Sequence, residues 1–115
     1  MNIISSSETN KMKASPTTTV WEFEMEEKAI SGAIAEIKDR YPEKGFIVNE
    51  ISKELVFVIA GEGYVTTPNQ KHPIKVGDLI FLDNGESYAW EAIKSLTLFM
   101  ANTPKFDPKQ HIIKY

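Results

Sequence analysis

A chain of 115 residues, 42% hydrophobic and 25% charged, has the size and make-up of one globular domain, which excludes a second domain with its own core. It has no cysteine, so disulfides, thiolate metal sites and cysteine nucleophiles are excluded, and its two histidines, His72 and His111, exclude any site built on three. Thirteen basic against sixteen acidic residues leave a net charge of −3, which argues against a general nucleic-acid binder and its basic patch.

The chain opens MNIISSSETNKMK, with only Ile3 and Ile4 as bulky apolar residues before a polar run. No stretch reaches the ~7–15 apolar residues of a secretory signal or the ~18 of a membrane span. The expectation is a cytoplasmic protein without a membrane partner. Residues 1–18, rich in Ser, Thr, Asn and Lys, read as a mobile arm, because so few apolar groups cannot offset the entropy of ordering it. Residues 19–115 read as one β domain.

From Thr19 onward Trp21, Phe23 and Met25 alternate with Glu22, Glu24 and Glu26, the period of a half-buried strand. The acidic residues there read as a solvated face. Residues 29–40 are open to two readings: Ile30, Ile34 and Ile37 have helical spacing, yet alternation through Ile34, Glu36 and Lys38 also fits. Tyr41-Pro42 requires an extended or turn conformation. Phe46 to Ile51 alternates loosely. Leu55 to Ala60 is a continuous apolar run and reads as a buried strand. Gly61-Glu62-Gly63 reads as a turn and Tyr64 to Thr67 as the returning strand. Turns are expected at 68–73 and 83–86, and Val76-Gly77-Asp78 leads into a strand at Leu79–Leu82, with further strands at Tyr88–Ala92 and Leu96–Ala101. Pro104 and Pro108 mark an irregular tail, anchored by Phe106. Short strands with Gly, Pro and Asn turns every 8–12 residues predict an all-β sandwich or barrel. Periodicity does not choose among them.

The run E-LVFVIA-G-EG (Glu54 to Gly63), followed by VGDLIFLDNGESYAW (Val76 to Trp90), resembles the two motifs of the cupin family. Glu54 and Gly61 have the spacing that ends the first motif. Gly77, Asp78 and Gly85 have the spacing that opens the second. The resemblance covers roughly Phe46 to Met100 and implies an antiparallel double-stranded β-helix, the cupin or jelly-roll barrel. It also implies a three-His, one-Glu metal site. Counted back from Glu54, its first two histidines fall at Val48 and Glu50, and the third falls at Tyr88. The proline of the second motif falls at Asp83. Of four ligands only Glu54 is kept, so no metal cofactor is expected: a tight metal site needs three or four ligands in fixed geometry.

If the motifs carry over, Val48, Glu50, Glu54, Tyr88 and Trp90 line the barrel as ligand-binding residues. Two carboxylates in a partly apolar cavity repel, and one should hold its proton to higher pH. Read as structure alone, Glu50 and Glu54 are surface glutamates beside Lys53, and Tyr88 and Trp90 are core aromatics. His72 reads as a surface group in a Pro-flanked turn. His111 is a surface group too, unless the tail folds across the mouth and makes it an acid–base group near neutral pH. No phosphate loop, dinucleotide fingerprint, serine elbow or HExxH sequence is present. The expected function is therefore a metal-independent cupin domain that binds a small polar organic ligand, a sugar or carboxylic acid. The alternative is an acid–base isomerase, epimerase or lyase using Glu50, Glu54 and His111. A homodimer is expected, formed with the help of Trp21, Phe23 and Met25.

Overall fold

The computed structural model describes all 115 residues and contains ten β-strands, two single turns of 3-10 helix and no α-helix. In chain order the strands are β1 (Asn10–Ser15), β2 (Thr18–Phe23), β3 (Ser31–Ile37), β4 (Arg40–Tyr41), β5 (Phe46–Asn49), β6 (Lys53–Thr66), β7 (Lys71–Lys75), β8 (Leu79–Leu82), β9 (Ser87–Thr103) and β10 (His111–Lys114). All pairings are antiparallel.

Two long strands organise the barrel. β6 and β9 pair along their lengths, from Lys53↔Thr103 to Thr66↔Ala89. The far half of β9 also pairs with β3, and its near half with β4 and β5. The sheet therefore curls on itself. The curl is made by register shifts in β6, between Val58 and Ala60 and between Gly61 and Gly63. Bulges of this kind bend a strand and increase its twist. Gly61 has φ +81°, and a Cβ there would run into the Ser95 carbonyl. Glycine is required at that point.

Two expectations are corrected here, and the open reading of 29–40 is resolved as a strand. Gly61-Glu62-Gly63 is not a turn: both halves of β6 pair with the same partner strand, so the chain runs through as a bulged strand. The stretch 29–40 holds a strand, β3. Ladder bonds on both of its edges, to β2 and β9, outweigh the local helical spacing. The segment read as an arm holds β1, which pairs with β2 from Asn10↔Glu22 to Ser15↔Thr18. Backbone pairing orders this segment where apolar side chains are too few to do so.

The core lies between the curled faces. Ile37, Ile47, Val56, Val58, Trp90, Leu96 and Leu98 are almost wholly buried. Each such side chain contributes about 1.5–3 kcal/mol relative to exposure. Beyond the bulges of β6 the odd positions Gly63 and Val65 are the buried ones, whereas over residues 53–58 of β6 and 96–103 of β9 the even positions point in. That alternation carries Glu54 and Asn102 into the interior at one end of the core.

Candidate functional site

The barrel encloses a cavity of about 470 Å³ that opens at one end. Glu54, at the start of β6, stands in its wall and is 4% exposed. Its Oε2 accepts three hydrogen bonds: from Asn49 Nδ2 at 3.1 Å, from the Tyr88 hydroxyl at 3.1 Å and, more weakly, from Asn102 Nδ2 at 3.5 Å. Oε1 has no partner in the protein, yet it is not sealed from the cavity. One oxygen is thus held by the fold and the other is free to meet a bound molecule. Burial raises the Glu54 carboxyl to a pKa of about 7, and the three hydrogen bonds hold it from rising further. Burial and the neighbouring carboxylate push the Tyr88 phenol well above its ordinary range, so it remains a donor.

Asn49 joins this carboxyl to a second group. Its Oδ1 lies 3.2 Å from His111 Nδ1. An amide oxygen can only accept, so Nδ1 carries the hydrogen and Nε2 presents a lone pair. The Tyr41 hydroxyl, 3.2 Å from Nε2, donates to it. Burial lowers the His111 pKa, which favours this neutral ring. The result is a hydrogen-bonded line from Tyr41 through His111 and Asn49 to Glu54 and Tyr88. The rings of Tyr41 and Phe106 flank the imidazole, stacked at 6.2 Å and edge-on at 5.6 Å.

The tail is what brings His111 here. β10 pairs with β5, setting His111 opposite Asn49. The Gln110 side chain anchors the junction. Its Oε1 accepts from the Ile51 N–H at 2.9 Å and the Ser52 N–H at 2.6 Å, and its Nε2 donates to Ser52 Oγ. Ser52 Oγ donates in turn to the Pro104 carbonyl at 2.8 Å.

Of the residues singled out in the sequence, Glu54, Tyr88, Trp90 and His111 meet around the cavity. Glu50 and Val48 do not. Glu50 is exposed on the bend that follows β5, and Val48 is buried on the other side of that strand. The reason is local. Counting back from Glu54 assumes an extended chain, but residues 50–51 form the bend that Gln110 caps, and the alternation is broken there. Asn49 and Ile47 take the inward places instead. The expected pair of facing carboxylates is absent, and one carboxyl stands among neutral donors. Trp90, 1% exposed, is a core side chain packed edge-on against Tyr88 at 5.6 Å. Sequence reasoning missed Tyr41, Asn49 and Asn102. For Asn102 a signal existed, since it continues the inward series Leu96, Leu98 and Met100.

These residues do not fit the metal of the three-His, one-Glu pattern. Around Glu54 stand two amides and a phenol, all donating protons to the carboxylate. The one imidazole on the cavity has both nitrogens engaged.

No protein-family model matches the chain, and no curated protein does. Solved structures do. A variant of the nucleoside dehydratase Pac13 of Streptomyces, with uridine, superposes with a TM-score of 0.87 at 11% identity, over all of this chain and 92% of that one. Ectoine synthase from P. lautus gives 0.78 at 17% identity, over 100% and 91% of the two chains. An RmlC-like cupin from Shewanella frigidimarina gives 0.77 at 12% identity, over 95% and 96%. The chain has the cupin fold. In that fold the candidate site occupies the barrel interior, with β5, β6, β9 and β10 each supplying a side chain. No helix of the chain is long and apolar enough to cross a membrane.

Proposed function

We propose that this cupin binds a small polar organic molecule inside the barrel, with Glu54 Oε1 as the group that recognises it. The observation that carries this reading is the divided carboxyl: Oε2 is held by three donors, and Oε1 faces a cavity of about 470 Å³ without a partner. A free carboxylate oxygen in an apolar wall favours a ligand that donates a hydrogen bond. Of the two ligand classes expected, a sugar or other hydroxyl-bearing ring is favoured over a carboxylic acid, which Glu54 would repel when ionised. Tyr41 and Phe106 offer ring faces to the less polar side of such a molecule. The uridine held by the Pac13 structures is a ligand of this chemistry. Binding without a metal and a cytoplasmic location, with no nucleic-acid partner, belong to the same reading.

A second reading is favoured by one observation. A carboxyl with a pKa of about 7 is suited to take and return a proton near neutral pH. In an isomerase, epimerase or lyase, the ionised Glu54 would take a proton from the bound molecule on Oε1, becoming neutral, and return it to the same molecule or its leaving group. Tyr88, donating to Oε2, would stabilise the carboxylate that starts and ends the cycle. Neutral His111, joined through Asn49, would hold the amide in place.

The test is a thermal-shift screen of the wild-type protein against nucleosides, sugars and small carboxylic acids. Glu54→Gln should weaken the hit it yields by about 10–100-fold, the worth of a hydrogen bond to a charged group. Glu50→Gln should leave binding unchanged. Equal affinity in wild type and Glu54→Gln would overturn the proposal. Conversion of the hit by wild type but not by Glu54→Gln would establish the second reading.

A further inference from the structure

Glu54 Oε1 has a neighbour of the same kind. Register sets Glu54 and Asn102 directly opposite each other across β6 and β9. Both occupy inward positions, and the Cβ atoms of such a cross-strand pair stand about 4.5–5.5 Å apart on one face. Asn102 is 7% exposed and lines the cavity together with Glu54. Its Nδ2 lies 3.5 Å from Glu54 Oε2. An amide turned the other way would set its oxygen against the carboxylate, so the nitrogen faces Glu54 and Oδ1 faces away from it. Oδ1 accepts nothing from the protein, and it is not sealed from the cavity. The donors beside the pair, Asn49 Nδ2 and the Tyr88 hydroxyl, are already engaged with Glu54 Oε2. Two strands thus present two open acceptors, side by side, in the wall of one cavity.

We infer that Glu54 Oε1 and Asn102 Oδ1 together accept from two neighbouring hydroxyls of one ring, a vicinal cis-diol. The inference rests on the reading of Glu54 given above and narrows it, because a single hydroxyl leaves Asn102 Oδ1 unpaired. A buried polar atom without a partner is costly, so a ligand that satisfies both acceptors gains over one that satisfies one. Each hydroxyl of a diol donates once, which matches the pair. An ammonium brings three N–H donors and a guanidinium five. The rest of the nearby wall is apolar, made by Ile37, Ile47, Trp90 and Met100, and offers those extra donors nothing. The same wall suits the C–H face of a ring. Asn102 is thereby a specificity residue: Glu54 recognises a hydroxyl, and Asn102 requires a second one beside it.

NMR titration of the full chain with three small probes tests this: cis-cyclopentane-1,2-diol, its trans isomer and cyclopentanol. The cis-diol should bind wild type about 3–10-fold more tightly than cyclopentanol, the worth of one further hydrogen bond to a neutral acceptor. It should also shift the side-chain amide resonances of Asn102. The trans isomer, whose hydroxyls point to opposite ring faces, should bind like cyclopentanol. In Asn102→Leu the preference for the cis-diol should vanish while cyclopentanol binds as before, which a merely structural role for Asn102 does not predict. If Asn102→Leu fails to fold, Asn102→Ala takes its place, and the cis-against-trans comparison on wild type decides without a variant. Equal affinity for all three probes, each weakened in Glu54→Gln, overturns the diol and leaves the Glu54 reading standing. Probe binding that is unchanged in Glu54→Gln overturns both. No shift of the Asn102 amide with the cis-diol in the tens-of-millimolar range overturns the inference, and so does tighter binding of methylguanidinium than of the cis-diol.

Discussion

At the scale of single residues, Glu54 sets the electrostatics of the interior. The unfolded chain releases this proton near pH 4.5 and the folded chain near 7. Between those values the folded state binds more protons, so the stability from this group is full below 4.5 and declines as pH rises to 7. The loss amounts to about 3 kcal/mol for a shift of this size. Glu54→Gln keeps the shape and removes the ionisation. It should be more stable than wild type by about 1–3 kcal/mol at pH 8 and no more stable at pH 4.5, measured by urea unfolding. His111 acts in the opposite sense. Its pKa is lowered by burial, so the unfolded chain takes up the proton first and stability falls as pH drops below about 6.5. Between pH 5 and 7 the two slopes oppose each other. In Glu54→Gln only the histidine slope should remain, with stability rising towards neutrality. An unfolding profile of this variant that still declines from pH 5 to 7 would contradict the assignment.

At the scale of elements, the junction of β5, the 50–51 bend and β10 decides which side chains enter the cavity. Gln110, 5% exposed, satisfies two backbone N–H groups and a hydroxyl at once. Gln110→Ala leaves those groups without partners, and each buried donor left unpaired costs about 1–3 kcal/mol. Its unfolding free energy should fall by about 2–4 kcal/mol if two donors are orphaned. The histidine ring should also leave its place opposite Asn49, which a shift of the His111 imidazole resonances by NMR would report. A substitution that cost stability but left those resonances in place would show that β10 holds its register without the clamp. Glu50 gives the contrast. One residue from Asn49 and exposed, it joins the junction only through its backbone, whose N–H donates to the Gln110 carbonyl, and its carboxylate takes no part in the network.

At the scale of the whole molecule, packing and antiparallel pairing hold the barrel. Its most buried side chains form one cluster around Val56, Val58, Leu96, Leu98 and Trp90, and Glu54 stands at the end of that cluster. The groups around Glu54 Oε2 are proton donors, which oppose a cation at the same place. Purified protein should carry far less than one iron, manganese, nickel or zinc per chain by elemental analysis. Its thermal midpoint should not move on adding a chelator. About one metal per chain, lost together with stability on chelation, would contradict this account.

The β class of the fold, most strand positions and Glu54 were legible in the sequence, because alternating burial and turn residues are local properties of the chain. Leu55 to Ala60 is a strand as read, although it is half-buried rather than buried, with Val56 and Val58 inside and Leu55, Phe57 and Ile59 exposed. The motif glycines Gly61, Gly77 and Gly85 all adopt positive φ. What lay beyond reading was decided by pairing between distant segments. Residues 29–40 could be helix or strand until β2 and β9 supplied ladder partners on both edges. Residues 61–63 looked like a turn until a single partner strand was found to run past them. Glu50 and Asn49 differ by one position, and one position reverses the direction of a side chain on a strand. Only the bend capped by Gln110, 58 residues away in sequence from Ser52, determines which of them turns inward. His111 was ambiguous for the same reason: whether a tail crosses the mouth depends on contacts across the fold, not on the residues beside it.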